Sequence, residues 1–138
     1  PGKHGGRASV PGGALVKLNH LDLQGADVPA TAAFFAAHFD LKIQSNPSSA
    51  ALVVLGDGEG FCLVLQRRKR DTDAYPEGFH IGFLVEDIAT VHARHAQLTA
   101  AAIGCTEIMT NNRGTLFFCR GPGELLIEVG CRTGTRFA

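Results

Sequence analysis

The sequence has no excess of either charge and no long apolar run. Its 138 residues contain 13 lysines and arginines against 13 aspartates and glutamates, whereas binding to nucleic acid or to an anionic membrane requires a basic surface. No apolar stretch approaches the roughly 18 to 20 residues of a membrane span, and the first residues lack the apolar core of a signal peptide. We therefore predict a cytoplasmic protein that binds neither nucleic acid nor membrane.

Paired cysteine motifs are also missing. The four cysteines, Cys62, Cys105, Cys119 and Cys131, are scattered without any C-x-x-C spacing, which excludes a zinc knuckle and a thioredoxin motif. We interpret them as reduced structural thiols. A nucleophilic role for one of them is the alternative, and no sequence feature selects which.

The chain begins with a segment that has little capacity to fold. Residues 1–13 read PGKHGGRASVPGG, which predicts a flexible lead or expression remnant that carries no chemistry, His4 included. The length and the 45% hydrophobic content of the chain fit one domain over residues 14–138.

The structured part contains one pattern twice. KLNHLDLQGADVPATAAFFAAHF and EGFHIGFLVEDIATVHARHAQL align with an offset of 60 positions, which places His20 on His80 and Asp27 on Asp87. Each segment predicts a strand, an acidic helix cap and an amphipathic helix. The two modules cover about residues 15–70 and 76–130.

Both predicted helices have an apolar face for covering a sheet. These faces comprise Val28, Ala32, Phe35 and Phe39 in the first helix and Ile88, Val91, His95 and Leu98 in the second. Three strands follow each helix, over residues 41–44, 51–55 and 61–66 and over residues 107–110, 115–119 and 125–129. GDGEG and RGPGE form the last hairpin turn of each half. The predicted fold is α+β, with two βαβββ repeats forming a cupped mixed sheet and the helices on its convex face.

Side-chain alternation along the strands predicts a polar cup. The face opposite the helices carries His20, Asp22 and Gln24 of the first strand, His80 of the fifth and Glu128 of the last. Two imidazoles and one carboxylate suit one divalent ion, Fe, Mn, Zn, Co or Ni, with positions open to water or substrate. Each of the three, taken alone, is more simply a hydrogen-bonded polar residue. Their shared face favours a metal site formed by His20, His80 and Glu128.

These motifs resemble the vicinal oxygen chelate superfamily, the group of glyoxalases, bleomycin resistance proteins, extradiol dioxygenases and fosfomycin resistance proteins. The resemblance covers about residues 15–130 and rests on LNHLDL with ADVPATAAFF, on FHIGFLVEDI and on GTLFFCRGPGELLIEVG. It implies a metal on His20, His80 and Glu128 that binds two adjacent substrate oxygens as a Lewis acid. It also implies a C2 homodimer, in which we expect His20 of one chain to meet His80 and Glu128 of the other.

The chain departs from the pattern of each subfamily. Val64 stands where glyoxalase I has a fourth ligand, a glutamate, with Gln66 as the polar neighbour. Asp22 stands where the fosfomycin transferases have threonine, and the only tyrosine, Tyr75, lies in a predicted loop rather than near the metal as an extradiol dioxygenase requires. Bleomycin-binding proteins usually lack the metal ligands. The substrate and the reaction therefore stay open.

Further residues are candidates for catalysis and for substrate binding. Asp22 and Glu128 are the candidate catalytic residues. Asp22 could act as a general base, hold a metal-bound water or serve simply as a hydrogen-bonding group. An anionic substrate could be bound by Arg67, Tyr75, Arg113 and Arg120. A solvated loop is the alternative for the RRKRD run at residues 67–71.

Two hypotheses about function follow. The first is a metal-dependent lyase, transferase or dioxygenase that acts on a small oxygen-rich metabolite or antibiotic. The alternative is a protein that sequesters a small molecule in the cup without catalysis. The second predicts a metal-free protein whose ligand affinity does not change after treatment with EDTA.

Overall fold

The computed structural model describes residues 15–132, so the predicted flexible lead and His4 lie outside the described part. The first module contains β1 (His20–Gly25), α1 (Val28–His38), β2 (Lys42–Ile43), β3 (Leu52–Gly56) and β4 (Cys62–Arg67). The second contains β5 (His80–Leu84), α2 (Ile88–Ala100), β6 (Met109–Asn111), β7 (Gly114–Arg120) and β8 (Leu126–Cys131), with a short 3-10 turn at Pro122–Glu124. Neither helix in this range is long and apolar enough to cross a membrane.

Each module forms its own four-stranded mixed sheet, which confirms the predicted βαβββ repeat. The strand order is β1-β4-β3-β2 in one sheet and β5-β8-β7-β6 in the other. In both sheets the first strand of the module runs parallel to the last, and the remaining pairs are antiparallel. Strands β1 and β5 are therefore edge strands, each with one neighbour.

An aspartate begins each helix, as predicted. Asp27 Oδ1 accepts a hydrogen bond of 3.0 Å from the amide of Ala30, and Asp87 Oδ1 accepts one of 2.8 Å from the amide of Thr90. Asp87 also accepts a bond from the Thr90 hydroxyl at 2.6 Å. These bonds satisfy amides that have no partner within the first turn of the helix.

The predicted helix faces are largely confirmed. Val28, Ala32, Phe35 and Phe39 are all buried, as are Val91 and Leu98, and His95 is half-buried. Ile88 is the exception, because its side chain is 42% exposed. The second helix packs on its sheet through later residues, so the prediction that its first residue joins the core was wrong.

The two modules share one hydrophobic core. Phe39, which caps the end of α1, stacks on Phe83 of β5 with ring centroids 4.5 Å apart. A guanidinium group of α2 adds polar contacts, because Arg94 donates to the carbonyl of His38 and lies 3.0 Å from the carboxylate of Asp40. Complete burial of a phenylalanine stabilises a fold by roughly 1.5 to 3 kcal/mol, so these contacts bind the modules to each other.

Candidate metal centre and cavity

Strands β1, β5 and β8 alternate between a helix-covered face and an opposite face that carries the predicted polar residues. In β8 the helix-side residues Ile127 and Val129 are buried at 0% and 1% exposure. Gly82 of β5 is the register partner of Glu128, and His80 is the partner of Leu126. The predicted alternation of faces is therefore confirmed, and it places His80 and Glu128 on one surface, which we call the cup face.

His80 is held by a backbone carbonyl and directed at Glu128. Its Nδ1 lies 2.9 Å from the carbonyl oxygen of Gly78. A carbonyl oxygen only accepts, so Nδ1 carries the hydrogen in this contact. The other nitrogen, Nε2, lies 3.4 Å from Glu128 Oε1. In the neutral ring Nε2 presents a lone pair, and two acceptors then face each other.

This arrangement fits two ligands of one divalent cation. A shared positive charge, either a proton or a metal ion, relieves the repulsion between Nε2 and Oε1. Metal bonds to imidazole nitrogen and carboxylate oxygen are about 2.0 to 2.2 Å long, so one ion can bridge atoms that are 3.4 Å apart. Anchoring of the second ring nitrogen on a carbonyl is typical of histidines that ligate metals.

Glu128 is only 4% exposed although its side chain faces the cup. Phe118, its register partner on β7, packs edge-on against the His80 ring at a centroid distance of 5.5 Å. The second oxygen, Oε2, lies 3.3 Å from Arg132 Nη1. Neither of these two buried atoms has a hydrogen-bond partner within the described chain. Oε2 of Glu128 therefore has an ion-pair partner but no hydrogen-bond donor among residues 15–132.

Arg132 was not among the predicted site residues. Strand parity could have found it, because Glu128, Gly130 and Arg132 alternate onto the same face of the last strand. Gly130 itself has a role here, since a Cβ atom at this position would lie 3.2 Å from Glu128 Oε2. The lack of a side chain at residue 130 therefore leaves room for the carboxylate.

His20 does not join this pair within the chain. It lies exposed on the edge strand β1 and pairs in register with Cys62 of β4, in the first module's sheet rather than in the sheet of His80 and Glu128. Between residues 15 and 132, no three histidine, cysteine or acidic side chains are grouped as a metal site. The sharing of His20 between two chains stays a prediction.

The two modules place their carboxylates on different strands. Asp22 of β1 pairs with Val64 of β4, whereas Gly82 of β5 pairs with Glu128 of β8. The register thus confirms that Val64 is the repeat equivalent of Glu128. Asp22 Oδ2 accepts a hydrogen bond of 2.9 Å from Gln66 Nε2, so its carboxylate is oriented by the strand beside it.

A cavity of about 300 Å³ opens beside Asp22. Its lining includes Asp22, Gln24, Arg68, Asp73, Tyr75 and Phe79. The rings of Tyr75 and Phe79 stack with centroids 5.3 Å apart. Burial raises the pKa of the Tyr75 hydroxyl, and the nearby charge of Arg68 partly opposes that rise. The cavity therefore combines an aromatic wall with one guanidinium group.

The arginine of this cavity is Arg68 rather than the predicted Arg67. Arg68 Nη1 donates to the carbonyl of Asp73 at 2.9 Å, while its buried Nε has no hydrogen-bond partner among residues 15–132. Its amide donates to the carbonyl of Gly25, which continues the ladder of β4 by one residue. Parity with Gln66 could have indicated that Arg68 faces the cup.

The other predicted substrate residues lie elsewhere, except Tyr75. Arg67 is exposed and lies 3.8 Å from Asp71. Arg120 lies 4.0 Å from Glu124 in the last hairpin turn, and Arg113 is exposed in the turn before β7. None of these three lines the cavity beside Asp22, and their role in substrate binding stays a prediction.

Comparisons with known proteins agree with this architecture. The family model described as the Glyoxalase/Bleomycin resistance protein/Dioxygenase superfamily matches residues 17–129. No curated protein sequence matches the chain significantly. Among solved structures, a possible glyoxalase from Bacillus cereus is 29% identical with a TM-score of 0.72, over 85% of this chain and 100% of that one.

Two further structures are similar in fold at lower identity. A lactoylglutathione lyase from Agrobacterium tumefaciens is 21% identical with a TM-score of 0.65, over 88% of this chain and 96% of that one. A genomically encoded fosfomycin resistance protein from Listeria monocytogenes is 16% identical with a TM-score of 0.69, over the same shares of the two chains. At these identities the likeness shows the fold alone.

Proposed function

Because the chain belongs to the glyoxalase, bleomycin resistance protein and dioxygenase superfamily, we propose that it is a metal-dependent enzyme acting on a small, oxygen-rich anion. The observation that carries the proposal is the contact of 3.4 Å between His80 Nε2 and Glu128 Oε1. A structural histidine would donate a hydrogen to the carboxylate and find its other partner in water. Here the backbone holds Nδ1, so Nε2 of the neutral ring turns a lone pair to Glu128 Oε1, and a proton or a metal ion between the two atoms removes their repulsion.

A divalent cation bound there would polarise substrate oxygens as a Lewis acid. The protein supplies the remaining functions. Glu128 brings a buried negative charge, Gly78 fixes the His80 ring, and Gly82 leaves open space beside the carboxylate because it has no side chain. A small ligand therefore has room to approach this corner of the cup face.

The cavity beside Asp22 has one cationic group for a substrate anion, Arg68, beside the carboxylates of Asp22 and Asp73. The charge of Arg68 suits a carboxylate or phosphate group, and the Tyr75 and Phe79 rings offer an apolar wall. Asp22, oriented by Gln66, is the general base in this proposal because it is the acidic group that lines the same cavity from β1. The carboxylate of Asp73 lines the same cavity from the segment between β4 and β5.

The third metal ligand in this proposal is His20 of the partner subunit. His20 and Asp22 are two residues apart on one strand, which places their Cα atoms roughly 6.6 Å apart on the same face. A C2 dimer that brings β1 of one chain to the cup face of the other would complete two equivalent sites. It would also join the Asp22 cavity to the His80 and Glu128 pair.

Metal content tests the first part of the proposal. The protein should be purified without a metal-affinity step, loaded with Zn²⁺, Mn²⁺, Ni²⁺ or Fe²⁺ in turn, desalted and analysed by mass spectrometry of the metals. We expect about one ion per chain for wild type and a loss of at least ten-fold in affinity for His80→Ala and Glu128→Ala. His92→Ala and Glu107→Ala, at exposed positions, are the matched controls. Full metal retention in both site variants would overturn the proposal.

Subunit mixing tests whether the sites are shared. His20→Ala and His80→Ala homodimers should each bind poorly, but a heterodimer of the two contains one site with all three ligands intact. Random exchange should therefore restore about one quarter of the wild-type metal content. If each site lay within one chain, mixing would restore nothing. A His20→Ala variant that retains full metal content would remove His20 from the site.

Chelation distinguishes the enzyme from a protein that only sequesters its ligand. Binding of small carboxylates and phosphonates should be measured by calorimetry before and after treatment with EDTA. We expect the affinity to fall when the metal is removed, because the ion contacts the ligand. Equal affinities would favour sequestration.

A further inference from the structure

Two of the cysteines face each other across a short antiparallel bridge. Cys105, in the segment between α2 and β6, is the bridge partner of Cys119 of β7. The flanking hydrogen bonds run from the Thr106 amide to the Phe118 carbonyl and from the Arg120 amide to the Gly104 carbonyl. Cys105 and Cys119 therefore form a non-hydrogen-bonded antiparallel pair. Of the two kinds of antiparallel pair, this one has the shorter Cα–Cα distance.

This kind of pair has the spacing that a disulfide requires. Residues opposite each other at such a position have Cα atoms about 4.5 Å apart with side chains on one face, within the range of roughly 4.4 to 6.8 Å spanned by disulfides. All four cysteines in the chain are free in this structure. We propose that Cys105 and Cys119 form a reversible intramolecular disulfide.

The two thiols have different access to a reagent. Cys119 is 1% exposed and belongs to the core, whereas Cys105 is half-buried. Burial raises the pKa of Cys105, and it raises the pKa of Cys119 to about 12, with the Cys105 thiolate adding to that rise. Since the thiolate is the attacking species, the reaction is slow at neutral pH and accelerates as pH rises.

The oxidant in this proposal is a small disulfide such as oxidised glutathione. The Cys105 thiolate attacks one of its sulfurs, forms a mixed disulfide and releases one glutathione thiolate, which takes up a proton. The Cys119 thiolate then attacks the Cys105 sulfur and releases the second glutathione. Two protein thiols are oxidised and one small disulfide is reduced to two thiols, so electrons and protons balance.

The disulfide would hold the segment before β6 against β7 on the helix side of the sheet. It would close a loop from residue 105 to residue 119 that contains the β6 and β7 hairpin. Cys119 alternates with Phe118, which faces Glu128, so the new bond lies on the side of β7 away from the cup. We therefore expect the crosslink to raise thermal stability and to leave metal binding unchanged.

Peptide mapping tests the proposal directly. The full chain should be incubated at pH 8.5 with graded ratios of oxidised to reduced glutathione, trapped with iodoacetamide and digested with trypsin. Cleavage after Arg94, Arg113 and Arg120 separates the two cysteines into peptides 95–113 and 114–120. We expect these peptides to appear joined, and two of the four thiols to resist alkylation. Dithiothreitol should restore all four.

Two comparisons keep the result interpretable. Cys62→Ser should still form the crosslink, whereas Cys105→Ser should not. A separate measurement uses the wild-type protein. Its Tm should rise by about 5 °C on oxidation and return to the starting value with dithiothreitol. Four alkylated thiols under every ratio, stable mixed disulfides with glutathione, or crosslinks through Cys62 or Cys131 instead would each overturn the proposal.

Discussion

Arg132 Nη1 lies 3.3 Å from Glu128 Oε2, while the other oxygen of the same carboxylate faces His80. The buried carboxylate thus lies between a fixed positive charge and a ring that can share a cation with it. The arginine compensates the charge of Glu128, and it would oppose a divalent ion bound to the same carboxylate.

Replacement of Arg132 should therefore separate stability from metal affinity. In Arg132→Met the apolar stem is largely kept and the charge is lost. We expect the metal-free protein to lose about 1 to 3 kcal/mol of unfolding free energy, because Glu128 is left buried without a compensating charge. The affinity for a divalent cation should rise at least about ten-fold, since a repulsion over a few ångströms is removed.

Urea unfolding of the metal-free variant and calorimetric titration with Zn²⁺ check these two effects. Arg120→Met is the control, because Arg120 pairs with Glu124 at an exposed position, where an ion pair contributes about 1 kcal/mol or less. An unchanged metal affinity in Arg132→Met would show that Arg132 does not act on the site.

Gly114 should not tolerate a side chain. Its φ of +138° is unfavourable for other residues, and a Cβ atom would lie 2.1 Å from the carbonyl oxygen of Cys131. We expect Gly114→Ala to destabilise the fold by about 2 to 4 kcal/mol through strain and displacement of β8. Gly123→Ala is the comparison, because its φ of +71° is also positive but the space around it is open. That variant should lose only about 1 kcal/mol, and equal losses would argue against the clash.

The charge of Asp87 should make helix capping depend on pH. Hydrogen bonds from the Thr90 hydroxyl and amide lower the pKa of this carboxyl from its ordinary value of 3.8. A carboxyl whose folded pKa is lowered contributes stability above the unfolded value, and the contribution is lost as pH falls through the folded pKa. The stability advantage of wild type over Asp87→Asn should therefore be present at pH 6 and shrink below pH 4.

Urea midpoints of both proteins between pH 2.5 and pH 6 measure this difference. Asparagine is itself a good cap residue, so the comparison isolates the charge. Two parallel curves would mean that ionisation of Asp87 does not contribute.

Truncation of Phe35 should be among the most damaging single changes in the core. The side chain is fully buried and packs on Phe34, Phe39 and Phe83. Phe35→Ala should cost about 3 to 5 kcal/mol, from lost apolar burial and the cavity left behind. Phe79→Ala, at a residue that is 37% exposed, should cost clearly less. Chemical denaturation of the two variants gives the comparison.

Much of the fold and the contact between His80 and Glu128 could be predicted from the sequence. Alternation along β5 and β8 placed His80 and Glu128 on one face, because that rule depends only on the local geometry of a strand. The same rule, carried two residues past Gln66 and four past Glu128, would have found Arg68 and Arg132. The exposed Ile88 shows that helical periodicity alone does not tell where contact with a sheet begins.

The position of His20 relative to His80 could not be predicted in the same way. It depends on how the two sheets lie against each other and, in the proposed dimer, on contacts with a second chain, neither of which is encoded in strand periodicity. The equal offset of the two histidines told only that they occupy equivalent positions in their own modules. Whether His20 and His80 meet at one site depends on how the modules, and in the proposed dimer the two chains, pack together.

Because the rings of Phe39 and Phe83 stack across the two modules, we expect both modules to unfold in one cooperative transition. If one module unfolded alone, the phenylalanine of the other module would lose its stacking partner and contact water. Unfolding of one module therefore destabilises the other. Scanning calorimetry should therefore record a single unfolding transition. A destabilising substitution in either module should lower the Tm of the whole domain.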